Sequence, residues 1–314
     1  MLAKTSPPIQ LQLAPPASKL KIKPPTKENN INLSPKLSWT LKLFYLASLV
    51  GVLYFLHQIN LTAIPEIKSY TLLGVSFTLL MAGHLADAQA WKSSIPSNNI
   101  KYVDAYTSAN LSILGKYIPG KIWMLIGRGA IIHKEYNLDI NTIGKSLVKY
   151  QVATLLAGAT VSLFLFAIFL FNKSSHSPPN LILTIGCLIV IILCTTLAYR
   201  LTRSSSLLCA GSATWILWGA GYFCLVGATT SSPPPAILAA VFGASAIIGI
   251  LTLIAPGGLG AREGAMVSLL LILGYSNQDA IAIAILARIW FFTSELSLFI
   301  SALTIQYLKR PPLG

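Results

Sequence analysis

Nine residues stand out because their chemistry conflicts with their surroundings: His84, Asp87, Lys116, Lys121, Arg128, Arg262, Glu263, Arg288 and Glu295 all fall within or beside long apolar runs. An Arg, Lys or Asp at mid-membrane costs roughly 2.5–3.5 kcal/mol on insertion scales. Four deep, unpaired ones would cost on the order of 10 kcal/mol, close to the whole stability of a typical domain. Such residues therefore pair, line a wet cavity, or lie near the membrane surface.

Spacing indicates the pairing. Arg288 and Glu295 are seven residues apart and share a helix face, but two turns separate them, so each needs a partner from another segment. His84 and Asp87 are three apart and neighbours on their helix. Arg262 and Glu263 are adjacent and point apart, which predicts an Arg262–Glu295 or a Glu263–Arg288 pair. One reading is a set of ion pairs that fixes helix order and does nothing else. The other is a gating network made of His84, Asp87, Glu263, Arg288 and Glu295.

The cations cluster beside two breaks in the apolar pattern. The stretch LGKYIPGK (114–121) is interrupted at Pro119 and Gly120; the stretch APGGLGAREG (255–264) is interrupted at Pro256, Gly257 and Gly258. Broken helices in corresponding positions of two halves point to a transporter site. The N–H groups freed where a helix restarts attract anions, and arginine adds a bidentate fork for phosphate. Lys116, Lys121, Arg128 and Arg262 together are thus expected to bind the phosphate of a lipid. The two copies are out of register, because Arg128 lies nine residues after its proline and Arg262 six after its own.

Other chemistries lack their signatures. There is no Walker A motif, HExxH, GxSxG or Cys/His ligand cluster, so no metal, no cofactor and no catalytic residue is expected. The four cysteines, Cys187, Cys194, Cys209 and Cys224, lie in apolar runs and read as small buried apolar residues. Asp87 is a carboxylate that could serve as a base in a membrane glycosyltransferase. The outer loops, seven to nine residues long, leave little room for a sugar donor.

The elements that must position these residues follow from composition. Of 314 residues 54% are hydrophobic and only 10% charged, with mean hydropathy +0.68. An ordinary soluble domain carries about 25% charged residues. The expected fold is all-α: a polytopic integral membrane protein with about eight transmembrane helices, one re-entrant hairpin and a possible inverted repeat. The 23 Lys and Arg against 9 Asp and Glu are scattered between apolar spans, which fits the positive-inside bias and anionic lipid as partner, not nucleic acid. Residues 1–36 are rich in Pro and Lys and are expected to be a disordered basic cytoplasmic tail. Residues 37–308 form the membrane domain and 309–314 a short basic tail. Spans are expected at 37–59, 70–91, 148–171, 181–199, 207–228, 236–255 and 280–306, with a short crossing at 262–275 and the re-entrant hairpin at 103–128. Both termini then lie in the cytoplasm, and the cell membrane is the expected location.

At these residues the chain resembles the flippase-like membrane family that includes the membrane region of lysylphosphatidylglycerol synthase/flippase. LGKYIPGKIW…GR (114–128), PGGLGAREG (256–264) and the helix with Arg288-Ile-Trp and Glu295 carry the likeness, which extends over roughly 37–308. The resemblance implies a lipid translocase for a phospholipid or a polyprenyl-phosphate-linked glycan. Its alternative is a membrane enzyme or non-catalytic subunit of lipid-linked glycan assembly, in glycolipid biosynthesis, with a glycosyltransferase as partner. The likeness is expected to be to a stand-alone member, without the soluble aminoacyl-transfer domain of bifunctional members, so the resemblance does not imply lysyl transfer.

Overall fold

Long apolar runs become long helices in the computed structural model, which describes residues 65–118, 122–173, 178–231, 234–252, 258 and 260–309. The expected tail (1–36), the first span (37–59), Pro119, Gly120, Lys121, Pro256, Gly257 and residues 310–314 lie outside the described residues. The described elements are all helical: α1 (Tyr70–Ser94), α2 (Tyr102–Leu111), a 3-10 turn (Ile113–Tyr117), α3 (Ile122–Tyr136), α4 (Ile140–Lys173), α5 (Pro178–Thr202), α6 (Ser205–Gly227), α7 (Leu238–Leu251), α8 (Ala261–Ile272) and α9 (Asn277–Leu308).

Five of these, α1, α4, α5, α6 and α9, are long and apolar enough to cross a membrane. At 1.5 Å per residue, even the 23 residues of α6 exceed the ~30 Å of a hydrocarbon core. Serines start three of them, with Ser69, Ser204 and Ser276 side chains accepting from the N–H groups of Leu72, Leu207 and Asp279. Helix α5 is the most peripheral: only 6% of its apolar window is buried, and Ile182, Ile192 and Leu193 point outward. Water would not tolerate such a face, whereas acyl chains match it. The fold is therefore that of a helical membrane protein.

The remaining helices are short. α2 and α3 have 10 and 15 residues, α7 and α8 14 and 12, so each is roughly 15–22 Å long. None reaches across ~30 Å of hydrocarbon. The run 236–255 reads as a full span, yet its helix ends at Leu251, where Thr252 turns out with ψ 86°. Gly258 and Gly260 then take φ of 75° and 80°, which only glycine adopts without strain. The chain reverses, and α7 packs back along α8.

Two apolar clusters mark the two ends of the bundle. One joins the start of α1 (Leu80), the end of α6 (Tyr222, Leu225), the start of α7 (Leu238, Phe242), the end of α8 (Met266, Leu270) and the start of α9 (Ile283). The other joins the end of α1 (Trp91), the start of α2 (Ala105), the end of α3 (Ile132), the start of α4 (Tyr150) and the start of α6 (Leu207). Thus α2–α3 is a helical hairpin whose two ends share one end of the bundle, and α7–α8 is a hairpin entering from the other. The order long, short, short, long occurs twice, as α1–α2–α3–α4 and as α6–α7–α8–α9. The antiparallel helices α1 and α6 pack along their length. Small residues permit the approach: a Cβ on Gly221 would lie 3.0 Å from the Ser76 carbonyl oxygen.

The cysteines depart from expectation. All four are free, but Cys209 is exposed and the others are half-buried, so they belong to outward helix faces instead of the core.

Candidate functional site

The hairpin tips bring their cations to α9. Lys116, on the 3-10 turn of the first hairpin, pairs with Glu295, whose side chain is 1% exposed. Tyr117 donates its hydroxyl to the other oxygen of that carboxylate at 2.8 Å. Arg262, in the first turn of α8, lies over the Phe291 ring at 4.8 Å and the Phe242 ring at 5.0 Å. Lys116 Nζ lies 5.2 Å from the centre of the same Phe291 ring. One ring of α9 therefore holds a cation from each hairpin, by attraction between the positive charge and the π-face.

Of the two pairings that spacing offers, the Glu263–Arg288 pair forms, with 3.4 Å between Oε1 and Nη1. The Arg262–Glu295 alternative does not, because Lys116 and Tyr117 already occupy Glu295. Glu263 also accepts from the Gly260 N–H at 2.8 Å. The start of α8 thus carries its own carboxylate, and the anion expected at that freed N–H is an internal one. The anion-attracting group left over at this tip is the Arg262 side chain.

Arg128, on α3, reaches Asp87 of α1, with Nη2 3.6 Å from Oδ2. Tyr150 donates its hydroxyl to the other Asp87 oxygen, and its ring lies 4.8 Å from the Arg128 guanidinium carbon. His84, one turn earlier, is buried and bonded to Ser294 Oγ at 3.1 Å. Ser294 spends its own proton on the Phe291 carbonyl at 2.6 Å, so His84 Nε2 carries the hydrogen of the shared bond. His84 thereby ties α1 to α9.

These groups share one cavity of about 360 Å³. Among the described residues its charged lining is Asp87, Glu295, Lys116, Arg128 and Arg262: three cations and two carboxylates, one positive charge in excess. Arg262 makes no ion pair among the described residues, and its Nη2, fully buried, donates to none of them. The cavity wall changes character toward its mouth. Ile122, Ile250 and Leu251 line it and are also exposed on the protein surface. A charged floor thus opens through an apolar rim.

Of the sequence-selected residues, the cavity unites His84, Asp87, Lys116, Arg128, Arg262 and Glu295, while Glu263 and Arg288 stand behind it as a supporting pair. Tyr117, Tyr150, Trp218, Phe242 and Phe291 escape sequence reading, because an aromatic residue in an apolar span raises no flag. Only Tyr117, beside Lys116 in the interrupted stretch, carried a usable signal.

A separate cluster closes the Trp91 end of the bundle. Asp104 of α2 is buried and takes hydrogen bonds from Lys309, just past α9, and from Tyr136 of α3. Burial alone would raise this carboxyl, but the bonds from Lys309 and Tyr136 outweigh it and hold it below the usual range. The neighbouring Glu135 is pushed up by burial and by the charge of Asp104.

Comparison with protein-family models gives no match, and no curated protein and no solved structure is similar to the chain.

Proposed function

We propose that this protein is a lipid translocase, a flippase that carries an anionic headgroup across the bilayer between two re-entrant hairpins without making or breaking covalent bonds. The observation that carries this reading is the cavity: cationic at its floor, apolar at its mouth, and built where hairpins from opposite ends of the bundle meet. A lipid has the same two-part chemistry, a charged head that needs compensation and tails that need an apolar exit. In the bilayer, non-helical backbone such as that at Ile118 and at Thr252, Gly258 and Gly260 is tolerated only where protein or a polar cavity surrounds it. The twofold long-short-short-long helix order supports an inverted repeat, the architecture that places substrate sites at mid-membrane. The scattered basic residues support, under the positive-inside rule, a reading with both termini in the cytoplasm and the cell membrane as the location.

Asp87 is engaged by Arg128 and Tyr150, which leaves it poorly suited to act as a glycosyl-transfer base. Lys116 and Arg128 are partly neutralised by their carboxylates, so Arg262 is the first phosphate ligand, with Arg128 second. The ion pairs Lys116–Glu295 and Arg128–Asp87 are the contacts a bound phosphate would loosen, and the gate is assigned to them.

The test is reconstitution in liposomes carrying tail-labelled fluorescent phosphatidylglycerol. Wild type is expected to equilibrate the label between leaflets faster than protein-free vesicles. R262Q, and the R128A/R262A double variant, should lose most of that rate while remaining folded by circular dichroism. Equal rates for wild type and both variants would remove the reading.

A further inference from the structure

Resting on the translocase reading, we infer that the cavity selects lipids whose headgroup is anionic and carries no ammonium group, such as a phosphomonoester or a phosphodiester of a small neutral alcohol. The deciding feature is the sign of the unspent hydrogen-bonding capacity. Every buried polar atom of a cavity-lining side chain that lacks a hydrogen-bond partner among the described residues is a donor: Arg262 Nη2, Arg128 Nε, Arg128 Nη1 and Trp218 Nε1. Arg128 and Arg262 are 3% and 9% exposed, so water reaches neither freely. Buried donors left unmet are costly, and a small turn of the two guanidiniums toward the cavity they line would bring their donors to the ionised oxygens of a phosphate, which accept.

An ammonium group meets the opposite situation. It needs a carboxylate or a vacant aromatic face. Both carboxylates of the cavity are occupied, Glu295 by Lys116 and Tyr117 and Asp87 by Arg128 and Tyr150. The Phe291 ring already carries Lys116 and Arg262. Choline, ethanolamine or an aminoacyl headgroup would add a positive charge to a cavity that already has one in excess. Size narrows the class further. A volume of about 360 Å³ holds on the order of a dozen waters, each occupying about 30 Å³, so a phosphate with a small substituent enters and an oligosaccharide does not.

Purified full-length protein in detergent micelles is titrated with lipids that share one fluorescent tail and differ in headgroup. Energy transfer from the protein tryptophans reports binding. Phosphatidic acid and phosphatidylglycerol are expected to bind about ten- to a hundredfold more tightly than phosphatidylcholine and phosphatidylethanolamine, the range of a few charge-assisted hydrogen bonds. R262Q should reduce that ratio to about threefold or less, and R262K, which keeps the charge, should retain part of it. Inorganic phosphate in large excess should compete weakly, because it lacks the tails that fill the mouth; full displacement would assign the site to a soluble anion and overturn the inference. Equal affinity for all four lipids would overturn the headgroup rule while leaving translocation standing. Binding of none would overturn both.

Discussion

Replacing Glu295 by Gln isolates the electrostatic joint between the first hairpin and α9. The carboxylate is 1% exposed and the Lys116 side chain 19%, so the pair is largely out of water. Gln keeps the size of the side chain and a contact for the Tyr117 hydroxyl, now 2.8 Å from Oε2, but leaves the Lys116 ammonium without its counter-charge. Breaking one side of a buried pair costs about 3–5 kcal/mol, and the partial exposure of Lys116 places E295Q near the lower figure. K116M leaves the more deeply buried partner charged and should cost about the upper figure. The double variant K116M/E295Q removes both charges and fills the space with apolar stem, so it should recover about 2–3 kcal/mol relative to the sum of the singles. Reversible unfolding by sodium dodecyl sulfate in mixed micelles, followed by tryptophan fluorescence, measures all three. A coupling energy below about 0.5 kcal/mol would refute the assignment of this pair as the joint, since that is the scatter of independent sites.

Three further outcomes follow from local geometry. A Cβ at Gly83 would lie 2.3 Å from Trp218 Cδ1, so G83A should displace the indole in the cavity wall and destabilise by about 1–3 kcal/mol, whereas G74A on the same helix meets nothing within 4 Å and should be neutral or stabilising by up to about 1 kcal/mol; the same unfolding titration compares them. A Cβ at Gly249 would lie 2.8 Å from Arg262 Cβ, so G249A should move the Arg262 guanidinium and weaken phosphatidylglycerol binding at least as much as it lowers stability. The depressed Asp104 carboxyl contributes stability that is fully present above its unfolded value, about pH 4, and is lost as pH falls further through its folded value. Glu135, raised, works in the opposite sense, gaining stability as pH falls through its folded value. The difference in thermal midpoint between wild type and K309M should therefore be largest near neutral pH and shrink below about pH 4; a difference independent of pH would exclude the Lys309–Asp104 bond as its source.

Where hydropathy is the determining force, the sequence already reads correctly. The runs at 70–91, 181–199, 207–228 and 280–306 correspond to α1, α5, α6 and α9, because a long helix in an apolar surround needs little beyond length and composition. The start of α4 is different: the helix begins at Ile140, eight residues before the apolar run at 148, because Asn141, Thr142 and Lys145 extend it without adding hydrophobicity. The run 236–255 misleads for the converse reason. Leu251 and the apolar residues after it continue the pattern although the helix ends there, and hydropathy does not register a chain reversal. Within the site, charge and spacing identify the members but only partly their partners. Glu263 meets Arg288 as its position allows, yet Glu295 goes to Lys116, some 180 residues away in sequence, since hairpin depth decides that contact. The Asp104–Lys309 bond, equally remote, has no local signature.

A photo-crosslinking experiment addresses the lipid cavity most directly. Full-length protein in liposomes is irradiated with phosphatidylglycerol bearing a diazirine high on one acyl chain, and labelled peptides are mapped by mass spectrometry. Labels concentrated at Ile122, Ile250 and Leu251, and depleted there in R262Q, are the expected result, because the headgroup held at Arg262 would place the tail at the apolar mouth. Labels spread along the outward face of α5, with none at the mouth and no change in R262Q, would contradict a lipid held in this cavity.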